Sequence, residues 1–218
     1  DRDGALTMDP RLLMPMQVQL DLWRSALAAG AQRIGWKIGF DKPAAQEEAG
    51  IDTPAIGFLT SATNIRYGAH VSLGGMTRAM IEPEVAIEVG DFGDAIALAA
   101  AIEVVDVDAP FSDIEGIVAG NIFHRGVLLG DFRPGYPPPR YAAVLVDGQD
   151  RERVDVGEFD PEEVIAFVAR ELNEVGETLK PGDKIIAGSL TPPVEVSAGD
   201  RVGVQMDNLG MVQLFFKP

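Results

Sequence analysis

The stretch MIEPEVAIEVG, residues 80–90, alternates apolar and acidic side chains over most of its length. A period of two is typical of a strand, because successive side chains of a strand point to opposite faces of the sheet. Glu82 and Glu84 therefore lie side by side on one face. The opposite face is apolar and consists of Ile81, Pro83, Val85 and Ile87.

A second apolar stretch, AAIEVVDVD at residues 100–108, holds a single glutamate, Glu103. Two ionised carboxylates about 4 Å apart repel by about 1 kcal/mol in water and by about 4 kcal/mol at an effective dielectric constant of about 20. A divalent cation removes this cost. We therefore predict that Glu82, Glu84 and Glu103 bind one metal ion. The alternative is an ordinary exposed face of an antiparallel strand, where Glu-x-Glu is common.

The residue types indicate which ion this would be. Three carboxylates completed by water suit Mg2+ or Mn2+, which prefer oxygen ligands in an octahedral arrangement. The chain has no cysteine and only two histidines, a composition that disfavours Zn2+. We predict Mg2+ or Mn2+ as the cofactor.

Composition limits the class of protein. With 218 residues and 46% hydrophobic content, the chain can bury a full core. We predict a helical N-terminal element at residues 1–30 and a β-rich domain at residues 31–218. The net charge of −16 repels phosphate backbones and anionic lipids, so neither nucleic acid nor membrane is an expected partner. The absence of cysteine fits a reducing compartment, and we expect a cytoplasmic protein.

Helical and strand signals predict a mixed fold. Helices are expected from Asp9 to Gly30, at residues 42–49, at residues 112–119 with Ser112 as the cap, and from Asp160 to Gly176. Strands are expected in RIGWKIGF (33–40), at residues 56–60, in the two glutamate stretches, and in five short C-terminal segments that begin with Tyr141–Val146 and its hairpin turn. The alanine-rich residues 93–99 are expected to be a helix or a loop. The fold class is α+β with a β-rich mixed sheet.

Lys37 stands between two glycines in RIGWKIGF. Strand alternation places Gly35, Lys37 and Gly39 on one face and Ile34, Trp36 and Ile38 on the other. Glycines beside a lysine allow a ligand or another backbone to approach closely. Lys37 therefore lies where a ligand could approach, and the alternative is a strand lysine that faces solvent.

Six segments follow one another in a fixed order: GWKIG (35–39), IEPEVA (81–86), AIEVVD (101–106), a short helix ending in Asn121, LKPGDKIIAGSLTPPVEV (179–196) and NLGMVQLFF (208–216). Together they resemble the fumarylacetoacetate hydrolase superfamily, in particular its 2-keto-4-pentenoate hydratase group. The resemblance implies the β-rich roll of the superfamily's C-terminal domain type. It also implies assembly into homo-oligomers built from dimers.

The resemblance also assigns roles. Glu82, Glu84 and Glu103 correspond to ligands of Mg2+ or Mn2+, and Lys37 corresponds to an acid/base or substrate-orienting group beside the metal. An ammonium close to the metal and partly desolvated should have a lowered pKa. Ser189 falls where relatives contact a substrate oxygen, although a turn serine that bonds its own backbone is the alternative. His124 is as compatible with a packed or surface position as with catalysis.

The activity implied is hydration of a 2-hydroxy-2,4-dienoate to a 4-hydroxy-2-oxo acid in the catabolism of aromatic or related compounds. Two departures from the family pattern bear on this activity: Ala55 stands where relatives commonly carry an acidic residue, and Asp108 stands where they often carry arginine. The alternatives are decarboxylation of a 2-oxo-dioate of the 4-oxalocrotonate type, an inactive structural partner of an active lyase, and a module that binds a 2-oxo acid without converting it.

Overall fold

The structure is a computed structural model that describes residues 8–217. Short 3-10 turns at Pro10–Leu12 and Phe111–Asp113 precede the first and third helices. In chain order the elements are α1 (Leu13–Ala28), β1 (Arg33–Gly39), α2 (Pro43–Ala49), β2 (Ala55–Thr60), β3 (His70–Val71), β4 (Ala79–Val89), β5 (Ala95–Asp106), α3 (Ile114–Ala119), β6 (His124–Leu129), β7 (Arg133–Pro134), β8 (Tyr141–Val146), β9 (Gln149–Asp155), α4 (Pro161–Glu174), β10 (Lys184–Ile186), β11 (Val194–Glu195), β12 (Arg201–Met206) and β13 (Gly210–Phe216).

The strands form two mixed sheets. The larger sheet has the order β2-β1-β10-β4-β5-β6, with β11 beside β4 and β7 beside β5, and the smaller has the order β3-β13-β12-β8-β9. Strand β10 pairs with β1 in parallel and with β4 antiparallel, so a late segment of the chain joins the lysine strand to the glutamate strands. The predicted β-rich α+β roll is confirmed.

The hairpin of β4 and β5 forms the centre of the larger sheet. Its register places Glu82 directly opposite Glu103 and Glu84 opposite Ala101. The prediction of a helix or loop at residues 93–99 was wrong for most of that segment, because β5 already begins at Ala95. Alanine has the highest intrinsic helix propensity, but the preference is small per residue, and pairing of β5 with β4 and β6 overrides it.

Helix α1 lies on the main hydrophobic core. The side chain of the fully buried Gln19 donates hydrogen bonds to the backbone oxygens of Ile56 and Val118, at 3.1 and 2.7 Å. Trp23 packs against Trp36 with ring centroids 5.3 Å apart. The predicted helix is therefore present, while residues 1–7 lie outside the described residues. The division at residue 30 stays a prediction.

The helix boundaries show how local the sequence signals are. The side chain of Asp160 accepts a hydrogen bond from the N–H of Glu162 at the start of α4, as predicted. The predicted cap of α3, Ser112, was wrong. The cap is Asp113, which accepts a hydrogen bond from the N–H of Gly116, because a 3-10 turn displaces the start of the helix.

No helix within residues 8–217 is long and apolar enough to cross a membrane.

Candidate active site

Three glutamates converge on one face of the larger sheet. One carboxylate oxygen from each of Glu82, Glu84 and Glu103 lies within 4.8 Å of the others. Glu84 and Glu103 are fully buried, and Glu82 is partly exposed. The register explains the convergence, because Glu103 is the direct cross-strand neighbour of Glu82 and a diagonal neighbour of Glu84. The structure thus brings together the three predicted residues in an environment poor in water.

The hydrogen bonds of the cluster leave carboxylate oxygens for a ligand. Glu84 accepts the backbone N–H of Gly188 through Oε2 at 2.8 Å, whereas its Oε1 is buried without a partner. Oε2 of Glu103 is likewise buried without a partner. A buried polar atom without a hydrogen bond is costly, so these oxygens point to a missing partner of positive charge. The residues therefore fit a hard divalent cation such as Mg2+ or Mn2+.

Burial and mutual repulsion also change the acidity of the cluster. Burial, together with the charge of Glu103, raises the pKa of Glu82 to about 8. Burial and the same charge raise the pKa of Glu84 well above its ordinary value. Both shifts show that the site holds two of its carboxylates at a cost in free energy. A bound cation would remove that cost.

Glu103 differs because two side chains bind its other oxygen. Its Oε1 lies 2.6 Å from Nζ of Lys37 and 2.6 Å from Nδ1 of His124. Burial would raise the pKa of Glu103, but the charge of Lys37 and the hydrogen bond from His124 outweigh burial and lower the pKa to about 2. Glu103 is therefore ionised at every physiological pH, with Oε2 left for a cation.

Lys37 is buried, with 1% of its surface exposed, which excludes the interpretation as a solvent-facing strand lysine. Besides the ion pair with Glu103, Nζ donates a hydrogen bond to the backbone oxygen of Ile122 at 3.0 Å. Burial lowers the pKa of Lys37, but the three carboxylates outweigh burial and the pKa is raised. The lowered pKa was expected for a lysine beside a bound metal ion and stays a prediction for that state; in the metal-free protein the three surrounding charges raise the pKa.

The glycines around Lys37 make room as the sequence indicated. A Cβ atom on Gly35 would lie 1.9 Å from the backbone oxygen of Lys184, so this glycine allows β10 to approach. The pairing register of β1 shifts at the same point, and Ile34 packs on the lysine side of the sheet, contrary to strict alternation. A Cβ on Gly57 of β2 would lie 2.9 Å from Cγ of Lys37.

An unusual turn presents the Ile122 oxygen to Lys37. Asn121, Ile122 and Phe123 have φ angles of 68°, 51° and 60°, a left-handed backbone that is strained for a β-branched residue such as Ile122. The amide of Asn121 stabilises the turn by accepting the N–H of Phe58 at 2.8 Å and donating to its oxygen at 3.1 Å. Strain at this point places a backbone acceptor beside the lysine.

His124 is a site residue for which the sequence left catalysis and a packed or surface position equally open. It follows the strained turn and is buried, with Nδ1 on Glu103 and Nε2 2.9 Å from Oγ1 of Thr63. Burial lowers the pKa of His124, so a neutral ring donates Nδ1–H to the carboxylate and accepts the threonine proton. Its position depends on the pairing of β5 with β6, and no residue spacing could indicate this contact.

Ser189 lies in the wall of a cavity beside Lys37 and Glu82. The cavity has a volume of about 500 Å3. The hydroxyl of Ser189 donates to the backbone oxygen of Thr191 at 2.7 Å, which is the turn-serine arrangement weighed as the alternative. The structure therefore places Ser189 where a substrate could reach it, and a substrate contact by its hydroxyl stays a prediction.

The two departures from the family pattern have different surroundings. Ala55 is buried in β2. Asp108 is exposed and its carboxylate pairs with Nη2 of Arg125 at 3.0 Å, so it does not line the cavity. Neither residue contributes a charged group to the cavity that contains Lys37.

Comparison with known sequences identifies relatives of the chain. No protein-family model matches it. It is 29% identical over 213 residues to a 2-keto-4-pentenoate hydratase of Burkholderia vietnamiensis strain G4, covering 86% of this chain and 79% of the relative. It is 25% identical over 214 residues to a 4-oxalocrotonate decarboxylase of a Pseudomonas species, covering 89% of this chain and 82% of the relative. The sequence resemblance to the hydratase group is confirmed.

A solved structure has the same fold. The 4-oxalocrotonate decarboxylase of Pseudomonas putida G7, complexed with magnesium and adipate, superposes with a TM-score of 0.83 at 24% sequence identity. The superposition covers 93% of this chain and 84% of that protein. The arrangement of two mixed sheets with few helices is therefore that of the fumarylacetoacetate hydrolase family.

Proposed function

We propose a function from the premise that this chain is a sequence relative of the 2-keto-4-pentenoate hydratases and has the fumarylacetoacetate hydrolase fold. The chain is a divalent-metal-dependent hydro-lyase that converts a 2-hydroxy-2,4-dienoate to a 4-hydroxy-2-oxo acid. The observation that carries this proposal is the convergence of Glu82, Glu84 and Glu103 with Lys37, in a cluster whose Lys37 and Glu82 line a cavity of about 500 Å3.

Glu82, Glu84 and Glu103 would hold the cation, which we propose is Mg2+ or Mn2+. When bound, such an ion supplies Lewis-acid stabilisation of negative charge on the substrate's 2-oxygen. Glu103 is suited to be the permanently ionised member because Lys37 and His124 already stabilise its charge. The orphan oxygens of Glu84 and Glu103 are the natural donors.

Lys37 is proposed to supply the mobile proton. An ammonium group has three N–H bonds, and two of them are taken by Glu103 and the Ile122 oxygen, which leaves one for the substrate. In the metal-free protein the three carboxylates raise the pKa of Lys37, so the residue is protonated before a cation binds and is a candidate acid. Its fixed position favours proton delivery at one carbon over random protonation.

The chemistry balances with one water molecule. The dienol loses its hydroxyl proton and gains a proton at the far end of the diene, which gives a 2-oxo acid with one remaining double bond. Water then adds across that bond, with its oxygen at C4 and its proton at C3. Lys37 first donates a proton to the far carbon of the diene. It then accepts the proton that the 2-hydroxyl group releases, which returns the lysine to its starting state.

Decarboxylation is the second candidate. It is favoured by the relative named 4-oxalocrotonate decarboxylase, and it would use the same carboxylates and lysine to stabilise an enolate. An inactive structural partner is disfavoured by the intact set of three glutamates and Lys37 in contact with one another.

Assembly into homo-oligomers built from dimers and a cytoplasmic location belong to this proposal. Light scattering would test the assembly, and cell fractionation would test the location.

The decisive experiment is a turnover screen. Purified protein with Mg2+ or Mn2+ is mixed with freshly generated 2-hydroxydienoates, the loss of dienol absorbance is followed, and the product is identified by NMR. We expect a 4-hydroxy-2-oxo acid, with loss of turnover on chelation and in the double variant Glu82→Gln/Glu84→Gln. Turnover that is indifferent to chelators, or no turnover of any 2-hydroxydienoate, would refute the function.

A further inference from the structure

We propose that the cavity selects a 2-hydroxydienoate whose far end is an uncharged hydrocarbon tail longer than a vinyl group, and that it rejects dioates. This inference rests on the proposed function and names the class of substrate for that site. It concerns the lining of the cavity other than Lys37 and Glu82, where residues 8–217 supply mostly apolar surface and one lysine, which is paired with a carboxylate.

Most of this lining is apolar. It includes Phe40, Val107, Phe111, Phe123, Leu190 and Pro193. Phe111 packs edge-on against Phe40 with centroids 5.3 Å apart and lies 6.1 Å from Phe123, so three aromatic rings form one continuous surface. A hydrocarbon tail on this surface gains by leaving water, whereas a carboxylate would lose its hydration without a replacement.

The charged side chains along the cavity do not compensate a second carboxylate. Among residues 8–217, the cations that line it are Lys37 and Lys42. Lys37 is paired with Glu103 at 2.6 Å, and its remaining N–H is assigned to the reacting end of the substrate. Lys42 is paired with Asp41 at 2.9 Å. If Lys42 turned to a substrate carboxylate, the half-buried Asp41 would lose its counter-charge. Glu48 adds a further negative charge to the lining.

The size of the cavity favours a tail of several carbons. Its volume of about 500 Å3 lies within the range of about 300–1,000 Å3 in which drug-sized ligands bind. A five-carbon dienoate fills only part of a cavity of this size. We therefore expect catalytic efficiency to rise as the tail lengthens from vinyl to short alkyl.

The test uses a matched pair of six-carbon substrates. 2-Hydroxyhexa-2,4-dienoate ends in a methyl group, and 2-hydroxyhexa-2,4-dienedioate ends in a carboxylate, so they differ only at the end in question. With Mg2+ and wild-type protein we expect kcat/KM to be about 10²-fold higher for the monoacid, the scale on which an unmatched polar group is rejected. Equal efficiency, or a preference for the dioate, would overturn the inference while leaving the proposed metal chemistry intact.

A charge-reversal variant with a matched control locates the selectivity. Glu48→Lys places a free cation on the cavity lining, and it should narrow the monoacid preference by about threefold or more. Glu47→Lys makes the same change of net charge on the neighbouring exposed residue of α2, which does not line the cavity, and should leave the ratio within about twofold of wild type. Equal effects of the two variants would show that only overall charge matters and would overturn the assignment to this cavity.

If neither substrate is turned over, the proposed function fails. A binding measurement then still tests the selectivity of the cavity. Calorimetry with Mg2+ compares 2-oxohexanoate with 2-oxohexanedioate, two saturated probes that differ at the same carbon. The monoacid should bind about tenfold tighter or more. Equal or tighter binding of the dioate would overturn the inference on selectivity irrespective of catalysis.

Discussion

The two faces of the β1-β10-β4-β5 strands carry opposite kinds of side chain. One face contributes large apolar residues to the main core, including Trp36, Ile81, Val85 and Ile102, all fully buried. The other carries Lys37 and the three glutamates beside a small apolar cluster formed by Leu59, Ala86, Ala99, Ala101, Val127 and Ile186. The backbone is shared, so the difference arises only from which residues occupy alternate positions.

Along each strand, side chains that stabilise the core alternate with side chains that form the candidate site. On the core face, apolar burial stabilises the fold, at about 25 cal/mol per Å2 of buried apolar surface. On the site face, two of the three carboxylates have raised pKa values and two of their oxygens are unpaired, so this face is held at a cost. A substitution on one face should therefore affect a different property from a substitution on the other.

The largest expected effect is on the site face. Lys37→Met should lower kcat by about 10²–10⁴, the scale for loss of a positioned acid or base. Thermal stability with saturating Mg2+ should stay close to wild type, because the cation then neutralises the carboxylates. Lys184→Met, which removes a strand lysine paired with Glu88, is the control. Near wild-type turnover in Lys37→Met would remove the proton carrier from the mechanism.

The core face should show the converse. Ile102 precedes Glu103 in β5 and its fully buried side chain packs in the main core. Ile102→Ala should lower the free energy of unfolding by about 2–5 kcal/mol. The kcat of the folded fraction should change little, because the side chain points away from the cluster. Denaturant unfolding and active-site titration at low temperature measure the two quantities. A loss of kcat in fully folded Ile102→Ala protein would break the separation of the two faces.

Substitution of His124 tests whether metal binding depends on a residue that positions Glu103. His124→Gln removes the ring that binds Oε1 of Glu103, and should weaken Mg2+ affinity by about 10–100-fold, as is common for residues that orient metal ligands. His70→Gln, at the exposed histidine of β3, should leave the affinity unchanged. Calorimetry at fixed pH compares them, and equal affinities would reduce His124 to a packing residue.

The smallest effect is a dependence on pH. The pKa of Glu82 is raised in the folded metal-free protein to about 8, so the folded state holds a proton that the unfolded state has released. The contribution of Glu82 to folding stability therefore falls as pH rises from about 4.5 to about 8.

The same proton affects metal binding. Mg2+ must displace it from Glu82, so the apparent affinity for Mg2+ should fall about tenfold per pH unit below the pKa. Affinity that stayed constant from neutral pH down to about 4.5 would contradict binding by carboxylates alone.

The site was predictable where it depends on alternation within one strand. Glu82 and Glu84 follow from the period of two, and Lys37 follows from its glycine neighbours. The convergence of Glu103 on the other two needed the register of the hairpin, which the apolar pattern did not specify. The small family motifs supplied that link through a resemblance and not through physical derivation.

The remaining features depend on contacts between distant segments. Burial of Lys37 in a cluster of three carboxylates reverses the direction of its pKa shift relative to desolvation alone. The backbone oxygen of Ile122 reaches Lys37 only because three residues in a row adopt a left-handed conformation that no local sequence preference favours. β5 begins within an alanine-rich segment because its neighbours on both sides supply the hydrogen bonds.

The central claim is that Glu82, Glu84 and Glu103 form one metal site on the face that carries Lys37. Anomalous diffraction from crystals soaked in Mn2+ tests it most directly. We predict a single strong peak with one oxygen from each glutamate at about 2.0–2.2 Å, and no such peak in crystals of the Glu84→Gln variant soaked in the same way. Crystals in which Mn2+ binds elsewhere, or in which Glu103 stays outside the coordination shell, would contradict the account.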